Sequence, residues 1–194
     1  MYCPKFSNFS PVYLGNQFCT ISAFDFISFR LILFNLKDTK FFSAAGIVTM
    51  IKIEYPPYQP KIKIEAGKEF IFDEFRKRWV MLTPEEWVRQ NFLQYLTQIK
   101  KYPASLIAIE KEIKLGELKK RFDVVVYDKK GTPWIIIECK EMNVVLDKSV
   151  LDQVLRYNIT LHVPYLVITN GSYCMALLLS DNTMKEIDSL PDLQ

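Results

Sequence analysis

Asp123 and, after a gap of fourteen residues, Glu138-Cys139-Lys140 place two carboxylates and an ammonium in or at the end of apolar runs of this 194-residue chain. In an extended strand alternate residues share a face, so Ile136, Glu138 and Lys140 point one way and Ile135, Ile137 and Cys139 the other. Antiparallel pairing about a turn at Lys129-Lys130 is expected to bring Asp123 opposite the Glu138 region, a few ångströms away. Two carboxylates that close can hold a hard divalent cation such as Mg²⁺, or Mn²⁺, which prefers oxygen ligands. Such a cation polarises a phosphoryl oxygen and acidifies bound water, while Lys140 orients that water or neutralises charge building on the phosphate. The chemistry suggested is metal-dependent phosphodiester hydrolysis. The bare spacing also arises by chance in strand-end acids paired with lysines on a wet face, so the elements that position it decide its worth.

Those elements are readable from the pattern. Thr83-Pro84-Glu85-Glu86 combines an N-cap threonine, proline at the first helical position and a glutamate placed for a capping box. Val88, Phe92, Tyr95, Leu96 and Ile99 then recur on one helical face until Tyr102-Pro103. On a helical wheel Glu85 lies near that stripe and Glu86 on the opposite side, so Glu85 is the glutamate favoured to look into a site. Three strands are predicted next, over 106–115, 121–127 and 134–140, joined by turns at Gly116-Glu117 and Asp128-Lys129-Lys130-Gly131, hence an antiparallel meander. Asp147 can cap a second helix carrying Val150, Leu151, Val154, Leu155 and Tyr157. Strands over 165–169 and 172–179 follow, and the helical crossing before Tyr165 permits parallel pairing. The order is helix, three strands, helix, strand: a mixed α/β fold.

Ahead of this core, Lys61 to Glu65 alternates in period two, turns at Ala66-Gly67-Lys68 and returns through Phe72, predicting an N-terminal β-hairpin continued by residues 78–82. Residues 1–49 hold nine of the fourteen phenylalanines but six of the forty-seven Lys, Arg, Asp and Glu. They show no sustained period, whereas Met50-Ile51-Lys52-Ile53 reads as a conventional start. The expected organisation is therefore an atypical extension over 1–49, either outside the native product or a poorly ordered arm, a lead-in and hairpin over 50–82, a core over 83–180, and a fraying tail over 181–194.

A hydrophobic fraction of 49% suits one globular core, and a net charge of +3 is a weak witness to any polyanionic partner. Cys3, Cys19, Cys139 and Cys174 form no metal-binding spacing, and the single His162 completes none, which favours a reducing, cytoplasmic setting. The apolar stretch from Ile21 to Phe34 is broken by Asp25 and Arg30, so no membrane association is expected. Cys139 reads as a packing residue. Trp79, Trp87 and Trp134 read as packing groups rather than base-stacking platforms. The clusters Lys100-Lys101, Lys119-Lys120-Arg121 and Lys129-Lys130 suit solvated turns or phosphate contacts.

Five blocks occur in order: Thr83-Pro84-Glu85-Glu86-Trp87-Val88-Arg89-Gln90, Arg121-Phe122-Asp123-Val124-Val125-Val126, Ile137-Glu138-Cys139-Lys140, Gln153-x-x-x-Tyr157, and Val167-Ile168-Thr169-Asn170-Gly171. From Thr83 to Met175 the chain resembles the PD-(D/E)xK nuclease superfamily, specifically the N-terminal nuclease domain of type I restriction enzyme R subunits. The resemblance implies a restriction-endonuclease-like αβββαβ core with a central mixed sheet flanked by helices. It implies that Asp123 and Glu138 bind the metal, that the Cys139 carbonyl completes the site and that Lys140 serves the attacking water. It places Gln153 and Tyr157 near the active site and DNA, and Glu85 where some relatives add a metal carboxylate. Glu85 is equally explained as a helix N-terminal dipole partner. Phe122 replaces the proline of the motif.

No G-x-x-x-x-G-K-[S/T] loop occurs in the 194 residues, so they are not expected to translocate DNA by themselves. The leading expectation is a Mg²⁺-dependent deoxyribonuclease, with DNA and separate restriction-system subunits as partners. The alternative is a non-catalytic DNA-binding or protein-interaction module that retains the fold. Oligomeric state is not readable.

Overall fold

The computed structural model describes residues 10–14, 17–21, 40–43, 46–115, 118–147, 149–151, 163–180 and 183–193. In chain order the strands are β1 (Ser10–Leu14), β2 (Gln17–Ile21), β3 (Lys40–Ser43), β4 (Gly46–Thr49), β5 (Ile51–Lys52), β6 (Ile62–Glu65), β7 (Lys68–Asp73) and β8 (Arg78–Met81). Helix α1 (Pro84–Gln94) precedes β9 (Ile107–Leu115), β10 (Leu118–Tyr127), β11 (Pro133–Cys139), β12 (Tyr165–Thr169), β13 (Tyr173–Ser180) and β14 (Thr183–Ile187). Two compact units result, Met1–Thr39 with Pro57–Leu82, and Lys40–Pro56 with Thr83–Gln194. The hairpins β1–β2 and β3–β4 occupy a stretch with no strand periodicity. A two-stranded ladder needs complementary backbone groups, not alternating side chains.

In the first unit β6, β7 and β8 form an antiparallel sheet, as the alternation predicts. Ala66 (φ 48°) and Gly67 (φ 72°) supply the two left-handed residues of a tight hairpin turn. The next turn is organised by Asp73, fully buried, whose Oδ1 accepts from the Phe75 and Arg76 amides at 2.7 and 2.8 Å while Oδ2 pairs with Arg76 Nε. Trp79 departs from the expected packing role: it is 39% exposed, edge-on to Phe72, with Lys63 Nζ 5.1 Å from its ring. It lies on the outward side of the pleat, opposite the buried Ile71.

The second unit is built on a mixed sheet ordered β14-β13-β12-β11-β10-β9, with β5 paired to β13. β9, β10 and β11 form the predicted antiparallel meander, and β11 pairs parallel to β12 in the register Ile135↔Tyr165 to Cys139↔Thr169. The turn between β10 and β11 closes on Asp128, whose Oδ1 accepts from the Lys130 and Thr132 amides at 2.9 and 2.8 Å. Consecutive residues Val124 to Val126, Ile135 to Ile137 and Leu166 to Ile168 are all buried, which requires cover on both faces of the central strands. Phe122, Val125, Ile136, Leu166, Ile168, Met175 and Leu177 form one cluster with Leu146, Leu151 and Val163.

Thr83 caps α1 as its sequence predicts, its Oγ1 accepting the Glu86 amide at 3.0 Å, with Pro84 in the first turn. Two details differ from the amphipathic wheel. Glu86, Gln90, Asn91 and Gln94 are buried beside Val88, Phe92 and Leu93, so the helix is covered well beyond one apolar stripe. Residues Tyr95–Ile99 then widen into a π turn, with the Lys100 amide reaching the Tyr95 carbonyl at 3.1 Å. The extra residue rotates Ile99 off the buried face and leaves it 49% exposed.

The expected second helix opens at residues 149–151, where Asp147 Oδ1 accepts from the Ser149 and Val150 amides at 2.9 and 3.1 Å. Val154, Leu155, Gln153, Tyr157 and His162 lie outside the described residues. The expected fraying tail is corrected. β14 adds an antiparallel edge strand to β13, Leu190 is 2% exposed, and Tyr102 O–H donates to the Pro191 carbonyl. A short polar strand suits this position because it satisfies the backbone edge of β13 while exposing Met184.

Replacing the cap tests how far local chemistry sets α1. Thr83→Ala is expected to lower stability by about 1 kcal/mol in urea denaturation, with Thr83→Ser close to the parent.

Candidate active site

The β10–β11 ladder runs through Val126↔Ile135, Val125↔Ile136 and Val124↔Ile137, so one further step matches Asp123 to Glu138. At that step a side chain takes over from the backbone. Asp123 Oδ2 accepts the Cys139 amide at 2.8 Å. On its other side the Lys140 amide reaches the Thr169 carbonyl at 2.8 Å, so β11 stays with β12 as it parts from β10. Across β10 from the same point, Glu110 adopts φ 50° between the pairs Lys111↔Phe122 and Ile109↔Val124. A left-handed non-glycine residue within a strand marks a local distortion of the ladder opposite Asp123. The predicted neighbours Glu138 and Lys140 do meet, with Lys140 Nζ 3.2 Å from Glu138 Oε1.

The helix contributes through Arg89, one turn beyond its acidic start. Its side chain is 6% exposed, and its guanidinium gathers three carboxylates. Nη2 lies 2.8 Å from Asp123 Oδ1 and 3.1 Å from Glu85 Oε1, and Nη1 pairs with Glu86 Oε2. Glu86 is held further by Gln90 Nε2 at 2.8 Å. Glu85, 47% exposed, shares Nη2 with Asp123, whereas Glu86 is held on Nη1. Glu86 departs from its expected place on the far side of the helix, being buried and bonded to Arg89 and Gln90.

These placements set the local electrostatics. Burial, then repulsion from Asp123, raises the Glu85 carboxyl above the usual range, with Arg89 and Lys140 opposing. Burial pulls the Arg89 pKa down, but the Asp123 and Glu86 carboxylates outweigh it and hold the guanidinium more firmly protonated than usual. Burial and the field of Asp123 push the fully buried Cys139 thiol well up, which keeps it un-ionised and fits the packing role read from sequence.

Behind the site, Thr169-Asn170-Gly171 forms a compact turn after β12. Thr169 Oγ1 accepts the Gly171 amide at 3.1 Å, Asn170 Oδ1 accepts the Ser172 and Tyr173 amides at 3.1 Å, and Asn170 Nδ2 donates to the Val144 carbonyl at 3.0 Å. Gly171 takes φ 90°, and a Cβ there would meet Val88 Cγ2 of α1 at 3.1 Å. Both strain and crowding oppose a side chain, so Gly171→Ala is expected to cost about 1–3 kcal/mol by chemical denaturation.

Asp123, Glu138, Cys139, Lys140 and Glu85 therefore converge, while Gln153 and Tyr157 lie outside the described residues. Arg89 stands in the first of the five sequence blocks without any spacing to Asp123 that marks a role. Its signal was the spacing of Glu85 and Glu86 four and three residues before it, which sets acids and base on neighbouring helical positions. Among the described residues no three His, Cys, Asp or Glu side chains gather closely enough to hold a metal ion by themselves. The donors present are nonetheless hard oxygens suited to Mg²⁺, which ordinarily keeps several waters and takes one or two carboxylates. The Cys139 carbonyl leaves β11 on the same edge as its amide, toward Asp123, because a strand residue directs both groups at one neighbour. Lys101, Lys119, Arg121, Lys129 and Lys130 are exposed, whereas Lys100 pairs with Asp192 at 2.9 Å.

A mixed central sheet with this helix and strand order defines a mixed α/β domain, consistent with a nuclease-like core. The family model described as Type I restriction enzyme R protein N terminus (HSDR_N) matches residues 84–191, more than half of the 194, and the chain belongs to that family. No curated protein and no solved structure matches the chain significantly. No helix among the described residues is long and apolar enough to cross a membrane.

Proposed function

We propose that this chain is a metal-dependent endonuclease domain of the PD-(D/E)xK type that hydrolyses DNA phosphodiester bonds. The observation that carries the reading is the parting of β10 and β11, where Asp123 takes the Cys139 amide one register step from Glu138, with Lys140 on Glu138. Asp123 and Glu138 would hold Mg²⁺ or Mn²⁺, with the Cys139 carbonyl and Glu85 as further oxygen donors. When bound, such a cation supplies Lewis-acid polarisation of a phosphoryl oxygen and acidifies water. Lys140, tethered to Glu138, orients the attacking water and balances negative charge on the phosphate. The cap at Thr83 and the Arg89 ion pairs fix Glu85 against Asp123, so the site is held by α1 as well as by the strands. By the family resemblance, Gln153 and Tyr157 would assist near the active site and the DNA. Membership of a restriction-enzyme family supports DNA as substrate and other restriction-system subunits as partners.

The test is cleavage of duplex DNA by the full chain. Mg²⁺-dependent product is expected, abolished by EDTA, with Asp123→Ala and Lys140→Ala each slowing the reaction about a hundredfold or more. Unchanged rates in both variants would reject this site. The second reading, a module that holds DNA without cutting it, draws on the Arg89–Asp123 ion pair, which neutralises a carboxylate the chemistry would use. It predicts Mg²⁺-independent DNA affinity and no product at any metal concentration.

A further inference from the structure

Arg89 is placed as a competitor as well as a strut. Of the two Asp123 oxygens, Oδ2 is fixed by the Cys139 amide at 2.8 Å, and Oδ1 faces Arg89 Nη2 at 2.8 Å. The same Nη2 takes Glu85 Oε1 at 3.1 Å. One nitrogen of a buried cation thus joins the two carboxylates that the strand and the helix offer to a divalent ion. A guanidinium is a planar donor that cannot lose its proton in a protein, so Arg89 itself stays cationic at every working pH.

We infer that Arg89 is a positioning residue that acts as a built-in counter-ion, occupying the shared side of Asp123 and Glu85 until a divalent cation displaces its Nη2, and that this exchange sets the metal affinity of the site. The inference rests on the metal-site reading above. Its consequence runs against the usual effect of removing a structural arginine. Loss of the charge leaves Asp123 and Glu85 under-neutralised, so divalent binding tightens although the fold weakens. A residue that merely braced the carboxylates would, when removed, leave metal affinity unchanged or reduce it.

The experiment is titration of the full chain with Mn²⁺, bound ion being counted by electron paramagnetic resonance and calorimetry, for the parent, Arg89→Met, Arg89→Lys and Asp123→Asn. Arg89→Met keeps a long apolar stem without the charge and is expected to bind Mn²⁺ at least about tenfold more tightly, which corresponds to about 1.4 kcal/mol. Arg89→Lys restores a cation and should return affinity to near the parent, while Asp123→Asn should lose the site. Equal or weaker binding by a folded Arg89→Met overturns the inference while leaving the metal site intact. Absence of Asp123-dependent Mn²⁺ binding in the parent and in Arg89→Met overturns both together. Should Arg89→Met fail to fold, the parent protein decides the matter through a crystal soaked in Mn²⁺. The Arg89 Nη2–Asp123 Oδ1 contact is expected to open beyond hydrogen-bonding reach. Metal bound beside an unbroken contact overturns the inference.

Discussion

A buried strand must find a partner for each of its backbone amides, and where two strands diverge that demand falls on whatever side chain stands at the fork. In this protein the fork is at Cys139, and the side chain is Asp123. The single hydrogen bond between them terminates the pairing of β10 with β11 without leaving a buried donor unsatisfied. It also fixes the orientation of an acid in the middle of β10, at the edge of the apolar run Val124–Val126. Sheet architecture and site geometry thus share one contact, and neither can be altered without the other. β12, parallel to β11 and still paired with it at Thr169, supplies the fixed side of the fork.

Arg89 answers a different constraint. A guanidinium held at 6% exposure requires anions, and α1 supplies two while the sheet supplies the third. The helix is thereby locked against the strand end by charge, and against the turn after β12 by the close approach of Val88 to Gly171. Polar and steric contacts restrict the helix in different ways. The ion pairs select the rotation that presents Arg89, and the glycine permits the proximity that makes those ion pairs possible.

Much of this is legible in the sequence. Apolar runs bounded by Asp128-Lys129-Lys130-Gly131 announced the meander, Thr83-Pro84 announced the helix, and the length of the crossing before Tyr165 allowed the parallel strand. These signals are local, and local chemistry determines them. The role of Arg89 was not legible, because its bond to Asp123 spans thirty-four residues and exists only once helix and sheet are packed. The π turn escaped for a related reason: it shifts a helical register by one residue without any glycine or proline to mark it. β14 was hidden by its composition, since an edge strand needs little apolar content when its backbone does the pairing. Glu86 misled the helical wheel because α1 is buried around most of its circumference, where a single stripe no longer separates inside from outside.

Cys139 carries one more consequence. Its thiol has no exposed surface, resists ionisation through burial and the field of Asp123, and sits between Glu138 and Lys140. Thiol-directed reagents attack the thiolate, so they can reach this sulfur only when the end of β11 lifts away from its neighbours. The residue is therefore a native reporter: the rate at which it is alkylated counts the excursions in which the Glu138–Lys140 end of the sheet comes apart.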